Sequence, residues 1–343
     1  MPSENHRPTQ EDVAREAGVS RAVVSYVINN RSGGNVRISE PTRRRVLEVV
    51  QRLGYQPNVN ARSLRTRRSQ LIAVMVPDLT NPFYPLMIRG IQAAVEGSDY
   101  HIVVYDTDDS AARERAFVDM MLRRHVDGVI LVSFHLEVED VWRLTEAGIQ
   151  TVGIGGRLRA AGIDIVATRE RPAAREIVRY LISRGHRRIA HLAGPQDTPP
   201  GQLRLQGYRE ALEEAGLRYE EPLVRYGTFK AEGVAELVAS LFPLPAVEHR
   251  PTALFAANDL MAIEAIRALV RLGMRVPEDV AVCGFDNIPA AELVMPSLTT
   301  IGQDCQRMGR LAGETLLERL RARARAEPRH VSVPYDLIVR ESA

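Results

Sequence analysis

From residue 71 onward the chain repeats one texture, a short apolar run followed by a segment with helical spacing. LIAVMV (71–76) precedes PFYPLMIRGIQAAV (82–95), HIVVY (101–105) precedes ARERAFVDMML (112–122), and GVILV (128–132) precedes EDVWRLTEAG (139–148). RIAHLAG (188–194), TALFA (252–256) and VAVCGF (280–285) continue the pattern, each with a helix or loop behind it. Strand–helix alternation of this kind builds parallel sheets with helices on both faces. Residues 70–343 are too many for one sheet, so two doubly wound lobes are expected.

The preceding residues read differently. TQEDVAREAGVSRAVVSY (9–26) carries the signals of two short helices and a tight turn. Thr9 and Asp12 have capping-box spacing, Gly18 suits a left-handed helix end, and Ser20 suits the next N-cap. The second helix would bury Val23, Val24 and Val27 and expose Arg21, Ala22, Ser25 and Tyr26. This is the helix-turn-helix pattern, whose second helix lies in the DNA major groove; an ordinary helical hairpin is the alternative. Ser39 begins a third helix with Val46, Val49, Val50 and Leu53 at helical spacing, closed by Gly54. Asn58 is placed to cap a further short segment, 59–65, which is too short to be stable as a helix without a partner.

The 343 residues require two or three compact units. A net charge of +2 does not by itself mark a nucleic-acid binder, but nine arginines fall within residues 37–68, and Lys230 is the only lysine. Cys283 and Cys305 have neither CxxC nor metal-type spacing, which leaves reduced structural thiols. No signal-peptide pattern and no apolar run of about 18 residues is present, so a cytoplasmic protein without a membrane partner is expected. No GxxxxGK[ST] loop, GxSxG elbow or metal- or triad-spaced His/Asp/Glu cluster occurs. Neither catalysis, a cofactor nor a metal is therefore expected.

DVAREAGVS (12–20), LGYQPN (53–58), ARSL (61–64), NPFY (81–84), VDGVIL (126–131), GHRRIAHLAGP (185–195), RLQGYREAL (204–212), ANDLMAIEAI (257–266), VPEDVAVCGFDN (276–287) and PSLTTI (296–301) occur in this order. Together they resemble the lactose- and ribose-repressor (LacI/GalR) family of bacterial transcription regulators over nearly the whole chain. The resemblance implies an α/β protein with a helix-turn-helix head at 8–57 after a disordered lead at 1–7. It further implies a hinge helix and linker at 58–69 and a periplasmic-binding-protein-like core at 70–343. The first lobe is expected at about 70–166 and 299–328, the second at about 167–298 and 329–343. A homodimer on a near-palindromic double-stranded DNA operator is implied, with DNA affinity modulated by a small polar, sugar-like effector.

By the same resemblance, Arg21, Ala22, Ser25 and Tyr26 face DNA, and Arg21, Ala22 and Tyr26 set which operator is read. Arg21 matches the O6/N7 edge of guanine, with a phosphate contact as its alternative; for Tyr26 the alternative is packing on its own helix. Asn58, Ala61, Arg62, Leu64 and Arg65 fall on the hinge. Ala61 lets paired helices approach, Leu64 wedges into a flexible central base step, and Arg62 and Arg65 hold phosphates. The loop at 30–38 is several residues longer than in compared relatives, which leaves a backbone contact through Arg31 or Arg37 open.

The effector set matched by motif is Asn81, Phe83, Tyr84, Arg204, Phe229, Asn258, Asp286 and Gln303. Aromatic rings suit the apolar face of a sugar, and Arg204 with Asp286 form a pair able to grip adjacent hydroxyls. Three alternatives stand beside these roles: Asp286 as a loop brace, Phe83 as core and Asn258 as a helix cap. Two departures bear on the ligand. Gly155 or Gly156 stands where many sugar-binding relatives have an acid, and Thr168, Arg169 and Glu170 replace a common VDN. An acidic or phosphorylated ligand or a degenerate pocket would both account for this. A stand-alone solute-binding module, an enzyme on a doubly wound fold and a regulator answering to a protein partner are the competing readings. No heptad extension follows the strand-like run VSVPYDLIV (331–339), so a tetramer built on a C-terminal coiled coil is not expected.

Overall fold

The computed structural model describes residues 8–28, 38–56, 68–124, 126–242, 250–322 and 327–343. The expectations for 1–7, for most of the 30–38 loop and for Asn58, Ala61, Arg62, Leu64 and Arg65 lie outside these residues. The chain divides into two compact units, 1–69 and 70–343.

In the first unit, helices α1 (Gln10–Ala17), α2 (Arg21–Ile28) and α3 (Glu40–Leu53) surround a small core. Val13, Ala14, Ala17, Val24, Val27, Val46 and Val49 are its buried members. With so little apolar area, helix ends matter. The Thr9 hydroxyl accepts from the Asp12 amide at 3.3 Å, and the Asp12 carboxylate accepts from the Thr9 amide at 2.9 Å. Gly18 ends α1 at φ 63°, a left-handed conformation that costs glycine little, and Ser20 Oγ accepts from the Val23 amide at 3.3 Å.

The second unit contains two six-stranded sheets. The first is ordered β11-β5-β4-β3-β1-β2, from β1 (Leu71–Val76), β2 (His101–Asp106), β3 (Gly128–Val132), β4 (Gln150–Ile154), β5 (Asp164–Thr168) and β11 (His330–Val333). The second is ordered β12-β10-β9-β8-β6-β7, from β6 (Ile189–Ala193), β7 (Val224–Tyr226), β8 (Ala253–Ala256), β9 (Ala281–Asp286), β10 (Thr299–Gln303) and β12 (Tyr335–Ile338). Every pairing is parallel except β10 with β12. The central strands are buried on both faces, which explains their unbroken apolar runs.

Helices α4 (Phe83–Val95), α5 (Ala111–Arg124), α6 (Val138–Glu146) and α12 (Cys305–Arg321) accompany the first sheet. Helices α7 (Glu170–Ser183), α8 (Pro199–Glu214), α9 (Val234–Leu241), α10 (Asp259–Arg271) and α11 (Ala290–Leu293) accompany the second. Helices α4 and α12 touch backbone to backbone. A Cβ on Gly90 would lie 1.9 Å from the Gln306 carbonyl oxygen, and one on Gly309 would lie 2.0 Å from that of Met87.

The lobe boundaries differ from the sequence expectation. Residues 299–303 form β10 in the second sheet, whereas 330–333 form β11 in the first. β5 carries the first lobe as far as Thr168. The run VSVPYDLIV is one strand-like stretch by composition, yet Pro334, which has no amide hydrogen, separates β11 from β12. The chain thus crosses between lobes near 169, 304 and 334. Among the described residues no helix is long and apolar enough to cross a membrane.

His191, at the centre of β6, lies between the rings of Tyr208 (4.9 Å) and Phe255 (4.7 Å), and its Nδ1–H donates to the Phe255 carbonyl at 2.9 Å. Burial lowers its pKa from 6.5 to about 4. The unfolded chain takes up this proton at a higher pH than the folded chain, so stability falls as pH drops from 6.5 to about 4. His191→Phe should remove this loss, about 3 kcal/mol at full protonation of the unfolded state, as measured by urea unfolding at pH 7 and pH 4. In the head, Thr9→Ala should cost about 1 kcal/mol, seen as faster hydrogen exchange of α1 amides in the full-length chain.

Candidate functional site

On α2, Arg21, Ala22, Ser25 and Tyr26 occupy positions i, i+1, i+4 and i+5 and therefore share one face. Arg21 and Ala22 are exposed; Ser25 and Tyr26 are half-buried, so the exposed face is narrower than the sequence suggested. Val24 and Val27 are buried, while Val23 is only partly so. Arg21 makes no ion pair with an acid among the described residues.

The eight residues expected to meet an effector converge where the two sheets end. Asn81, Phe83 and Tyr84 follow β1. Arg204 lies on α8, Phe229 and Asn258 follow β7 and β8, and Asp286 and Gln303 close β9 and β10. All eight line one of two adjoining cavities. A small chamber of about 50 Å³ is bounded by Asn81, Phe83, Tyr84, Arg204, Phe229, Asn258 and Asp286. A larger one of about 610 Å³ shares Phe83, Tyr84 and Arg204 and adds Gln303.

The charged centre is already internally paired. Arg204 is buried; its Nε donates to Glu170 at 2.7 Å, one terminal nitrogen donates to the Ala257 carbonyl, and the other reaches Asp286 at 3.4 Å. Its guanidinium lies 3.9 Å from the centre of the Phe285 ring. Gln303 donates to the same Asp286 oxygen at 2.8 Å. Burial raises the Asp286 pKa to about 6 against the opposing pull of Arg204. Asp286 also adopts φ 115°, a costly backbone state for a residue with a Cβ, and such strain concentrates at functional sites. Behind it, burial and the neighbouring Asp286 raise Asp259 to about 8. Asp259 accepts from the Thr300 hydroxyl and the Ile288 amide.

Other side chains combine structural and lining positions. Asn258 caps α10, accepting from the Met261 amide at 2.9 Å, and donates to the Phe229 carbonyl at 2.7 Å. Asn81 accepts from the Phe83 amide at 3.1 Å. Phe83 belongs both to the first-lobe core and to both cavity walls. Gly155 and Gly156 line the larger chamber, and a Cβ at either would meet no atom within 4 Å.

Several contributors had no separate signal in the sequence. Glu114 of α5 is fully buried and accepts from Ser133 Oγ and from the amides of Phe134, His135 and Leu136, at 2.6–3.1 Å. It thereby fixes the loop that brings Phe134 to within 6.3 Å of Phe229 on the other lobe. Lys230 reaches Asp108 across the same gap at 3.0 Å. Glu170 was notable as a departure from a motif, but its role as the partner of Arg204 emerges only in three dimensions.

Residues 9–58 match the family model "Bacterial regulatory proteins, lacI family", and 178–343 match "Periplasmic binding protein-like domain". The HTH-type transcriptional regulator CelR of Thermobifida fusca is 39% identical over 98% of each chain. The chain belongs to the lacI family. DegA of Bacillus subtilis (strain 168), another HTH-type transcriptional regulator, is 33% identical over 98% of each chain. Among solved structures, a CelR–cellobiose complex aligns with TM-score 0.72 and 36% identity, covering 98% of this chain and 100% of that one. The lac repressor dimer bound to operator and the anti-inducer ONPF aligns with TM-score 0.84 and 27% identity, covering 98% and 99%. As a lacI-family protein the chain is a DNA-binding transcriptional regulator with a two-lobed core, and not an enzyme. In this regulator Glu114→Ala would remove the carboxylate that the Ser133 hydroxyl and the Phe134, His135 and Leu136 amides share, leaving the buried Phe134 amide without its acceptor. A loss of about 3 kcal/mol or more in core stability is expected, measured by denaturant unfolding at pH 7.

Proposed function

We propose that this regulator is a cytoplasmic homodimeric repressor of a near-palindromic operator, whose DNA affinity is set by a small sugar-like effector held between the lobes. The observation that carries the effector reading is the convergence of Arg204, Asp286 and Gln303 with Phe83, Tyr84 and Phe229 on one inter-lobe cavity. Planar charged groups beside aromatic faces are the chemistry that holds a polyhydroxylated ring. The larger chamber has the capacity of a ligand site for more than one sugar ring, and the similarity to the CelR–cellobiose complex supports a glycan.

An incoming hydroxyl exchanges with contacts that Arg204 and Asp286 now make to each other and to Glu170. The lobes are joined by only three chain crossings, so a ligand that binds one lobe arrangement more tightly shifts the population toward it. The repositioned lobes then alter the spacing of the paired hinge segments, where Ala61 permits close approach and Leu64 enters the minor groove. Asn58, Arg62 and Arg65 support that segment, while Arg21, Ala22, Ser25 and Tyr26 present the reading face.

Selection from random duplexes by the full-length protein at near-physiological salt tests the DNA end. A dyad-symmetric motif with a flexible central step is expected. Arg21→Ala should lose about 1–3 kcal/mol of discrimination at one base of each half-site. Leu64→Ala should lower affinity for the dyad without changing the half-site sequence. An enriched motif without dyad symmetry would contradict the dimeric reader.

A further inference from the structure

The larger chamber carries more arginines than the Arg204 that hydroxyl recognition uses. Five of its lining residues are arginines, at 157, 159, 169, 171 and 204, and Glu170 is the one acid among them. Glu170 is committed to Arg204. Arg157 pairs with Glu137 at 2.6 Å and donates to the Leu136 carbonyl, while Arg171 pairs with Glu210 at 3.4 Å. The exposed side chains of Arg159 and Arg169 form no hydrogen bond or ion pair among the described residues.

Two further features accompany those arginines. Thr168, also on the chamber wall, has a buried hydroxyl without a hydrogen-bond partner. Arg169 is the N-cap residue of the 14-residue helix α7 and offers its first-turn amides no side-chain acceptor. A hydroxyl donor, an uncapped helix N-terminus and two uncompensated guanidiniums are complementary to an oxyanion. Arg159 belongs to the first lobe and Arg169 to a crossing between lobes, so one anion meeting both would link closure to its charge.

We infer that the effector is anionic: a glycan whose hydroxyls engage Arg204 and Asp286 and whose carboxylate or phosphate enters the larger chamber, between Arg159 and Arg169. This rests on the proposed effector reading of the cleft and adds to it the charge class of the ligand. Gly156 provides an independent handle, because a Cβ there meets open space and its backbone is not in the left-handed region. Gly156→Asp places a carboxylate on the same wall and should act against an anion.

Calorimetric titration of the full-length protein with cellobiose, cellobiouronic acid and cellobiose 6-phosphate tests the inference. At least one acidic form should bind about tenfold or more tightly than cellobiose, and which one does so distinguishes carboxylate from phosphate. Arg159→Gln and Arg169→Gln should each shrink that ratio, and Gly156→Asp should reduce or invert it. Equal binding of all three, or a ratio untouched by both arginine variants, overturns the anionic assignment but leaves the sugar site standing. If none of the three binds, or if all bind equally well to a folded Asp286→Asn variant, the effector reading itself fails and the inference fails with it.

Discussion

One buried cation organises the junction of the lobes. The Arg204 guanidinium lies over the Phe285 ring and reaches the start of α7 through Glu170, the end of β8 through the Ala257 carbonyl and the end of β9 through Asp286. Gln303 extends the network from Asp286 to the end of β10. A charge removed from water is tolerable only where its donors are met, and here Glu170, Asp286 and a backbone carbonyl meet them. The burial that works against this charge also raises Asp286 toward neutrality, so the two residues are energetically tied. A group that hydrogen-bonds Arg204 or Asp286 from the cleft has to exchange with contacts these two already make.

The surrounding architecture holds these groups while leaving few covalent constraints between the lobes. Close packing of α4 on α12 depends on Gly90 and Gly309, where even one added carbon would overlap a carbonyl. Glu114 performs a comparable task with polar groups, binding a whole loop to one carboxylate and thereby setting Phe134 opposite Phe229. The Lys230–Asp108 pair spans the same gap with both side chains substantially exposed, where screening weakens an ion pair. Contacts within each lobe are thus buried and specific, whereas this contact between them is open to solvent.

Local signals were legible in the sequence wherever the physics is local. The Thr9–Asp12 capping box, the glycine ends of α1 and α3 and the apolar runs of the strands depend on neighbours a few residues apart. The lobe boundaries were less legible, because β10 and β11 are short strands of mixed polarity and composition does not say which sheet a strand joins. Single-residue connections at Asp304 and Pro334 carry the chain from one lobe to the other there. Tyr26 and Ser25 are half-buried for a similar reason, since helical spacing gives a face but not how far neighbours cover it.

Capping and periodicity, which are near-neighbour chemistry, were enough to read a helix-turn-helix head and an alternating α/β core from the sequence, while the cleft residues were named through the resemblance to a family. The tertiary structure decided that Arg204 is satisfied by Glu170 and Asp286, which lie 34 and 82 residues away. It also decided that Asn258 is both a helix cap and a cavity wall, and that Arg159 and Arg169 face a chamber without acidic partners. Pairing and desolvation depend on which distant groups come within hydrogen-bond reach, and only the folded chain sets those distances.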